Sequence, residues 1–154
     1  MPTHWVEPDD MASMAGTKLP SSDWMTVEQD RINTFADCTE DHQFIHIDEA
    51  AAAKSPFGGT IAHGFLTLSL LTKLSSENSI GVKGIVMGVN YGIDKLRFLA
   101  PVRAGKRIRA HTEVLSVDRK DANRFLVKTA VTVEIEGEET PALYAEWLGM
   151  QFIA

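Results

Sequence analysis

The hydrophobic pattern changes its period near Gly84 and so divides the 154-residue chain into a helical part and a β part. Before Gly84, apolar side chains recur at every third or fourth position, as they do on one face of a helix. After Gly84, runs of β-branched and aromatic residues largely alternate with polar residues, which is typical of strands. Helices followed by a series of strands predict an α+β fold.

Three helices are predicted in the helical part. The first begins at Thr26, which forms a capping box with Gln29, and it ends near residues 37–39. A short second helix follows Asp48, whose side chain can cap it. The third spans residues 60–74, TIAHGFLTLSLLTKL, and is apolar almost all the way round. We therefore expect one continuous helix in the middle of the protein.

Four long antiparallel strands are predicted in the β part, and together they would wrap around the apolar helix. Their sequences are GIVMGVNYGIDKLRFLAPV, KRIRAHTEVLSVDR, RFLVKTAVTVEIEG and PALYAEWLGMQFI. A further strand is expected earlier in the chain, around DWMTV. The last strand would be a long exposed edge without a neighbour, so we expect a homodimer.

One domain is expected to span residues 1–154, since globular domains cluster near ~100–150 residues. Residues 1–22 mix Pro, Asp, Met and Gly without periodicity. We expect them to form an N-terminal arm that lies over another part of the protein. Hydrophobic residues make up 44% of the chain and charged residues 23%, which is ordinary for a folded protein.

Charge and cysteine content argue against several classes of protein. The net charge of −6 opposes a nucleic-acid partner, because phosphate binding needs a basic face. No apolar run reaches the ~18 residues of a membrane helix, and the acidic N-terminus does not resemble a signal peptide. The single cysteine, Cys38, excludes an internal disulfide and favours a reducing compartment, so we expect a cytoplasmic protein.

The segment DHQFIH concentrates ionisable side chains just before the apolar helix. Its first and last residues, Asp41 and His46, can converge on one ligand if the segment is a loop at a helix end. Burial would raise the pKa of the aspartate and lower that of the histidine, which brings both toward neutral pH, where acid/base catalysis is most effective. The alternative is that both are capping or hydrogen-bonding residues of a loop.

The segment AHGF opens the apolar helix and offers a possible third group. Gly64 in the first turn would present a backbone N–H that no side chain covers, and the helix dipole adds positive potential there. The alternative is that Gly64 only permits close packing. An acid, a base and an oxyanion donor together suit proton transfer next to a thioester or ketone carbonyl.

Two stretches of the chain carry a family resemblance. FADCTEDHQFIHIDEAAAAKSPFGGTIAHGFLTLSLL and YGIDKLRFLAPVRAG resemble the MaoC-like (R)-specific enoyl-CoA hydratase/dehydratase family, most closely its nodulation protein N-like branch. The motifs are D-x-N-P-x-H, F-G-x-x-I-A-H-G and R-F-x-x-P-V, in that order. The resemblance runs from about Trp24 to the last strand. It implies a hot-dog fold, in which a curved antiparallel sheet wraps around a long central helix, with two subunits joined edge to edge.

The resemblance also implies an activity, namely syn hydration of a trans-2-enoyl thioester to the (R)-3-hydroxyacyl thioester, or the reverse dehydration. The substrate would be an acyl thioester of coenzyme A or of an acyl-carrier protein, in fatty-acid or related metabolism, and no metal or redox cofactor is expected. Asp41 and His46 align with the catalytic pair, with His46 as the principal base and Asp41 as the proton donor. Gly64 aligns with the backbone oxyanion donor.

Two other functions stay open: a hot-dog thioesterase, in which a carboxylate activates water against the thioester carbonyl, and a non-catalytic acyl-thioester-binding protein. The thioesterase reaction would leave His46 without a role. The binding protein would keep its apolar tunnel and lose nothing when the pair is mutated.

The motif differs from the family pattern at Gln43, which replaces Asn, and at Phe44, which replaces Pro. Gln43 keeps the carboxamide, and Phe44 can line an acyl tunnel. Ser69 aligns with a small polar residue near the acyl end, although a helix serine can also bond back to its own turn. Arg97 belongs to a group of cations that could meet coenzyme A phosphates or simply be solvated. The candidate substrate-binding residues are Gln43, Phe44, His63, Ser69, Tyr91 and Arg97.

The remaining histidines and the cysteine have simpler interpretations. A metal site could be drawn from Asp41, His42, His46 and His63, but the order H-E-x-x-H is absent and we expect no metal. His63 is most simply a buried histidine that fixes the start of the central helix. Cys38 is most simply a buried structural thiol.

Overall fold

The computed structural model describes residues 2–154. Its elements, in chain order, are β1 (His4–Val6), a 3-10 helix (Pro8–Met14), β2 (Met25–Thr26), α1 (Gln29–Thr39), α2 (Phe44–Ile47), α3 (Glu49–Ala53), α4 (Gly64–Ser69), α5 (Leu71–Ser76), β3 (Ile80–Val82), β4 (Ile85–Phe98), β5 (Arg107–Arg119), β6 (Arg124–Ile135) and β7 (Leu143–Ile153). The four long strands and the early strand near DWMTV are confirmed. Within residues 2–154, no helix combines the length and apolar character needed to cross a membrane.

The main sheet has the strand order β2-β5-β6-β7-β4, and all its neighbours are antiparallel. The expectation that the last strand forms an edge is wrong, because β7 lies between β6 and β4. The long free edge is β4, which crosses over to pair with β7 from Ile85↔Ile153 to Phe98↔Leu143. Alternation along a strand shows which face is buried, but it does not show which strand lies beside it.

The core lies between α4, α5 and the inner face of the sheet, so the protein has the predicted hot-dog fold, a curved antiparallel sheet around a central helix. Apolar side chains of the two helices pack against alternate residues of β5, β6 and β7. The buried members include Leu66, Leu70, Leu71, Leu74, Ile108, Val131, Val133 and Leu143.

The central helix is not continuous. It divides at Leu70, where ψ is −11°, into α4 and α5. Hydrogen-bonded turns bridge the division, because Leu70 N donates to Leu66 O and Leu74 N donates to Leu70 O. The helix is also not buried all the way round, since Phe65 is 68% exposed.

The first helix begins later than predicted. The capping box is wrong, because Thr26 lies in β2 and the N-cap residue of α1 is Glu28, whose side chain makes no capping bond. The predicted end is confirmed at Thr39, and Glu40 follows in the left-handed region with φ 60°. The cap of α3 is also confirmed, since Asp48 Oδ1 accepts from Ala51 N at 3.0 Å.

Residues 2–22 form the expected arm, but they contain elements that the sequence did not predict. β1 pairs in parallel with β3, and the 3-10 helix buries Met11 completely. The segment that follows runs along β5, where Leu19 N donates to Thr112 O and Ser22 N donates to Ala110 O. The arm therefore covers the outer edge of β5 and a second apolar cluster around Met11.

Candidate active site

The DHQFIH segment is a loop only over residues 41–43, which follow α1, because its last three residues belong to α2 (Phe44–Ile47). The left-handed Glu40 reverses the chain after α1, and Asp41 Oδ1 then accepts a long hydrogen bond from Gln43 N at 3.4 Å. Local side-chain to backbone bonds of this kind define an Asx turn. The side chain of Asp41 is 51% exposed, so its carboxylate lies at the mouth of the site.

His46 is buried, and its ring is fixed at one nitrogen. Nδ1 lies 2.8 Å from the carbonyl oxygen of Ile61. A carbonyl oxygen can only accept, so Nδ1 carries the hydrogen and Nε2 of the neutral ring keeps its lone pair. The backbone is held as well, since His46 N donates to Gln43 O at 3.0 Å. The orientation of the His46 ring is thus defined by Ile61 O, which leaves Nε2 as the lone-pair nitrogen of the neutral form.

His63 lies against this pair and is 3% exposed. Its ring stacks on that of His46, with centroids 3.8 Å apart and planes 23° apart. Its Nε2 donates to the backbone oxygen of Asp41 at 3.0 Å. Burial lowers the pKa of His63 below its ordinary value of 6.5, so the ring is neutral at pH 7.

One donor atom from each of Asp41, His46 and His63 falls within 4.8 Å of the others. Two of the four ring nitrogens are already used, because His46 Nδ1 and His63 Nε2 both donate to backbone carbonyl oxygens. His42, the fourth member of the metal site drawn from the sequence, turns away and places Nε2 2.9 Å from Asp37 Oδ1.

Gly64 is the first residue of α4, and its N–H meets no acceptor within residues 2–154. A side chain there would be crowded, because a Cβ would lie 3.1 Å from ring atoms of Phe98. Both interpretations of Gly64 are therefore compatible with the structure. Gly64 also lines an open cavity of about 300 Å³ together with Phe57, Thr67 and Leu99.

The other substrate-binding candidates are spread over the molecule. Ser69 and Tyr91 line a second cavity of about 340 Å³ between the central helix and β4. Ser69 Oγ also donates to Phe65 O at 2.7 Å, the back-bond typical of a helix serine. Arg97 lies on β4, where its Nη1 donates to Leu96 O at 2.7 Å.

The two departures from the family motif lie at the surface of the loop. Phe44 opens α2 and is 47% exposed. Gln43 is exposed and is the N-cap residue of α2, but its side chain makes no capping bond. Both side chains are therefore exposed and lie within three residues of Asp41 in the chain.

Gln29 is a site residue that sequence reasoning missed. Its Nε2 donates to the backbone oxygen of His46 at 2.7 Å, and its Oε1 accepts from Thr60 Oγ1 at 2.5 Å. Gln29 thereby joins α1 to the DHQFIH loop and to the segment before α4. The capping-box pattern gave the side chain a local partner in Thr26. Its actual local partner is Asn33, and its other two partners lie 17 and 31 residues away.

Cys38 is exposed near the end of α1, so the expectation of a buried structural thiol is wrong. Its Sγ lies 3.4 Å from Phe35 O, a contact within the last turns of the helix. The apolar side of α1 is occupied by Ile32 and Ala36, both fully buried. Cys38 falls on the opposite side, which the prediction did not separate from the buried one.

The chain is similar to several known proteins. Residues 10–137 match the family model described as MaoC like domain. Nodulation protein N from Rhizobium leguminosarum bv. viciae is 46% identical over 146 residues, which cover 94% of this chain and 91% of that protein. The 3-hydroxyacyl-thioester dehydratase Z of Mycobacterium tuberculosis (strain ATCC 25618 / H37Rv) is 46% identical over 137 residues, or 89% of this chain and 90% of that one.

A solved structure of similar shape is R-hydratase PhaJ1 from Pseudomonas aeruginosa in the unliganded form. It matches with a TM-score of 0.71 and 25% identity, over 91% of this chain and 83% of that chain. Motifs, fold and relatives agree, and the chain belongs to the MaoC-like dehydratase family.

Proposed function

We propose that this protein is a hydro-lyase that adds water to a trans-2-enoyl thioester to give the (R)-3-hydroxyacyl thioester, and catalyses the reverse dehydration. The observation that carries the proposal is the placing of an Asp41 carboxylate oxygen and a His46 ring nitrogen within 4.8 Å of each other. Two hydrogen bonds of about 2.8 Å that meet at one water span about 4.5 Å. One water can therefore be held by both groups.

Asp41 and His46 together account for both proton transfers of the reaction. His46 Nε2 takes a proton from the water as its oxygen bonds to C3, and the electrons of the C2=C3 bond move toward the thioester oxygen. The Asp41 carboxylate receives that proton from His46 and delivers it to C2, which returns both groups to their starting states. The reaction needs no oxidant, reductant or metal, so we propose that the protein works without a cofactor.

The thioester oxygen gains negative charge in this step and requires a hydrogen-bond donor that stabilises this charge. The N–H of Gly64 is suited to that role, because it lies at the start of α4 and is not used by any acceptor in the described chain. Preorganised donors of this kind stabilise developing charge without reorganising at the moment of reaction.

The two cavities suggest how the substrate lies. We propose that the thioester lies beside Gly64 in the cavity lined by Phe57 and Phe98, and that the acyl group enters the one lined by Ser69 and Tyr91. Apolar walls with a few polar groups are typical of ligand sites. Coenzyme A and an acyl-carrier protein both present the thioester on the same type of arm, and either is a candidate substrate.

A second copy of the chain is the proposed partner of β4. This free edge strand exposes several apolar side chains, among them Val86 at 67%, Met87 at 50% and Tyr91 at 63%. Exposed edges of this length are normally paired or protected. We expect sedimentation to give twice the chain mass of 17.0 kDa at micromolar concentration, and a monomer would contradict the proposal. Cytoplasmic location stays a prediction, as does the expectation of no nucleic-acid partner.

The test of the proposed reaction follows loss of the conjugated enoyl thioester by absorbance, first with crotonyl-CoA and then with a longer trans-2-enoyl-CoA. Free thiol is assayed in the same cuvette. Loss of conjugation without thiol release is the expected result. Thiol release would indicate the thioesterase instead.

Substitutions of Asp41 and His46 test whether these two residues carry out the reaction. Asp41→Asn and His46→Gln are each expected to lower turnover about a thousandfold, because general acid/base groups contribute ~10²–10⁴ in rate. Circular dichroism should show that both variants stay folded. Nearly full activity in either folded variant would contradict the proposed roles.

A further inference from the structure

His63 contacts both members of the proposed acid/base pair. Its ring lies face to face with that of His46 at 3.8 Å. Its Nε2 lies 3.0 Å from the backbone oxygen of Asp41 and 4.0 Å from Oδ2 of the same residue. One buried side chain therefore touches the backbone of the acid and the ring of the base.

Helix capping does not explain this histidine. His63 is the N-cap residue of α4, but its side chain makes no capping bond. Ser, Thr, Asp and Asn are the residues that stabilise this position. The hydrogen bond that its ring does make, within the described chain, goes to Asp41 in another loop. The imidazole of His63 thus bonds to the loop that carries Asp41 and does not cap α4.

The contacts of His63 favour its neutral form. Nε2 must carry the hydrogen, because it donates to a carbonyl oxygen, and Nδ1 is buried without a hydrogen-bond partner in the described chain. A second proton on Nδ1 would bury an N–H without an acceptor. Burial is the main cause that lowers the pKa of His63, and the nearby His46 and His42 act in the same direction. The bond to Asp41 and its charge act in the opposite direction.

We propose that His63 is a positioning residue for the hydration. Its uncharged ring fixes the rotation of His46 and the peptide of Asp41, so that the carboxylate oxygen and the imidazole nitrogen keep the separation that one water bridges. Since His63 is neutral, it places no positive charge against the proton that His46 receives. The next residue is Gly64, so the same segment ties the pair to the oxyanion donor. This inference rests on the proposed function.

Two substitutions separate the contacts of His63. His63→Phe keeps a ring against His46 and loses the hydrogen bond to Asp41. We expect kcat with crotonyl-CoA to fall about 30-fold, with KM changed less than about threefold, because small displacements of reacting groups cost up to ~10² in rate. His63→Gln keeps an N–H with similar reach and should restore kcat to within about fivefold of wild type.

A histidine outside the site supplies the matched control. His111→Gln alters an exposed ring on β5 that bonds to Glu134, and it should leave kcat within about twofold of wild type. If His63 only packs, its variants will lower the melting temperature but keep the wild-type kcat and pH profile. Folded His63→Phe protein with wild-type kcat would overturn the proposal.

The nitrogen spectrum of the wild-type protein tests the same proposal without any variant. Followed across pH, the ¹⁵N shifts of His63 should show hydrogen on Nε2 in the neutral form and a pKa below the ordinary value of 6.5. A pKa above 6.5, or a neutral form with hydrogen on Nδ1, would overturn the inference. Failure of the wild-type protein to hydrate enoyl thioesters would contradict the proposed function, whereas the nitrogen spectrum would still decide the state of His63.

Discussion

The molecule contains two dense clusters of ionisable side chains, and they differ in how many of their polar atoms are already paired. On the outer face of the sheet, Glu134 accepts from Arg109 Nε at 2.7 Å and lies 2.6 Å from His111 Nε2. Arg109 in turn lies 4.4 Å from the ring of Trp24. Hydrogen bonds from Arg109 and then His111 hold the pKa of Glu134 below its ordinary value. This cluster has its strong donors and acceptors matched.

The inner cluster is smaller, and its reactive atoms are unmatched. Within residues 2–154, the carboxylate of Asp41 accepts one long hydrogen bond, from Gln43 N, and Nε2 of His46 makes no hydrogen bond. His63, stacked beside it, is uncharged at pH 7. The difference shows that a high density of charged residues does not identify a catalytic site. Groups whose lone pairs and protons are not used by neighbours identify it better.

A substitution of Gln29 tests whether the inner cluster carries the activity. Gln29→Glu keeps the size of the side chain but removes the N–H that donates to His46 O. We expect kcat to fall about tenfold, because the loop that directs His46 loses a fixed contact. The free energy of unfolding should fall by about 1–3 kcal/mol, since a buried carbonyl is left unpaired. Steady-state kinetics and chemical denaturation measure the two effects.

Gln151 provides the matched control, because it makes the same kind of bridge in another part of the molecule. Its Oε1 accepts from Val82 N at 2.9 Å and its Nε2 donates to Ile80 O at 3.0 Å. Gln151→Glu should cost similar stability and leave kcat of the folded protein unchanged. Equal losses of kcat in both variants would mean that Gln29 acts only through stability.

Glu134 tests the outer cluster, where a small effect is expected. Glu134→Gln should leave kcat within about twofold of wild type and lower the free energy of unfolding by about 0.5 kcal/mol, since Glu134 and Arg109 are both about a third exposed. The pKa of Glu134 is lowered in the folded state, so this contribution is full above its ordinary value of 4.5 and is lost as pH falls through the folded value. Denaturation curves at several pH values measure it. A large loss of kcat would mean that the outer cluster also takes part in catalysis, which would contradict the contrast between the two clusters.

The sequence predicted those features of the fold that depend on local pattern. The four long strands follow from alternation, and an apolar central helix follows from the run at residues 60–74, although the helix begins at Gly64 and not at Thr60. The strand order did not follow, because the pairing of β4 with β7 joins residues that are far apart in the chain, such as Ile85 and Ile153. The division at Leu70 also has no local signal, since leucine favours an unbroken helix.

The candidate site, like the fold, could be predicted from the sequence only in part. Asp41, His46 and Gly64 were candidates from the motif, but the direction of the His46 ring depends on the carbonyl of Ile61, 15 residues further on. Gln29 was assigned to a local cap because its distant partners cannot be read from spacing. Side-chain partners across loops are set by tertiary packing, which one sequence does not display.

The central claim is that Asp41 and His46 act on one water from the same side of the substrate. Hydration of crotonyl-CoA by the wild-type protein in D₂O tests it directly, with the configuration at C3 and the position of deuterium at C2 read by NMR. We predict an (R)-hydroxyl and one deuterium at C2, added to the same face. Addition to opposite faces would contradict it, because a single pair that shares one water cannot deliver both groups that way.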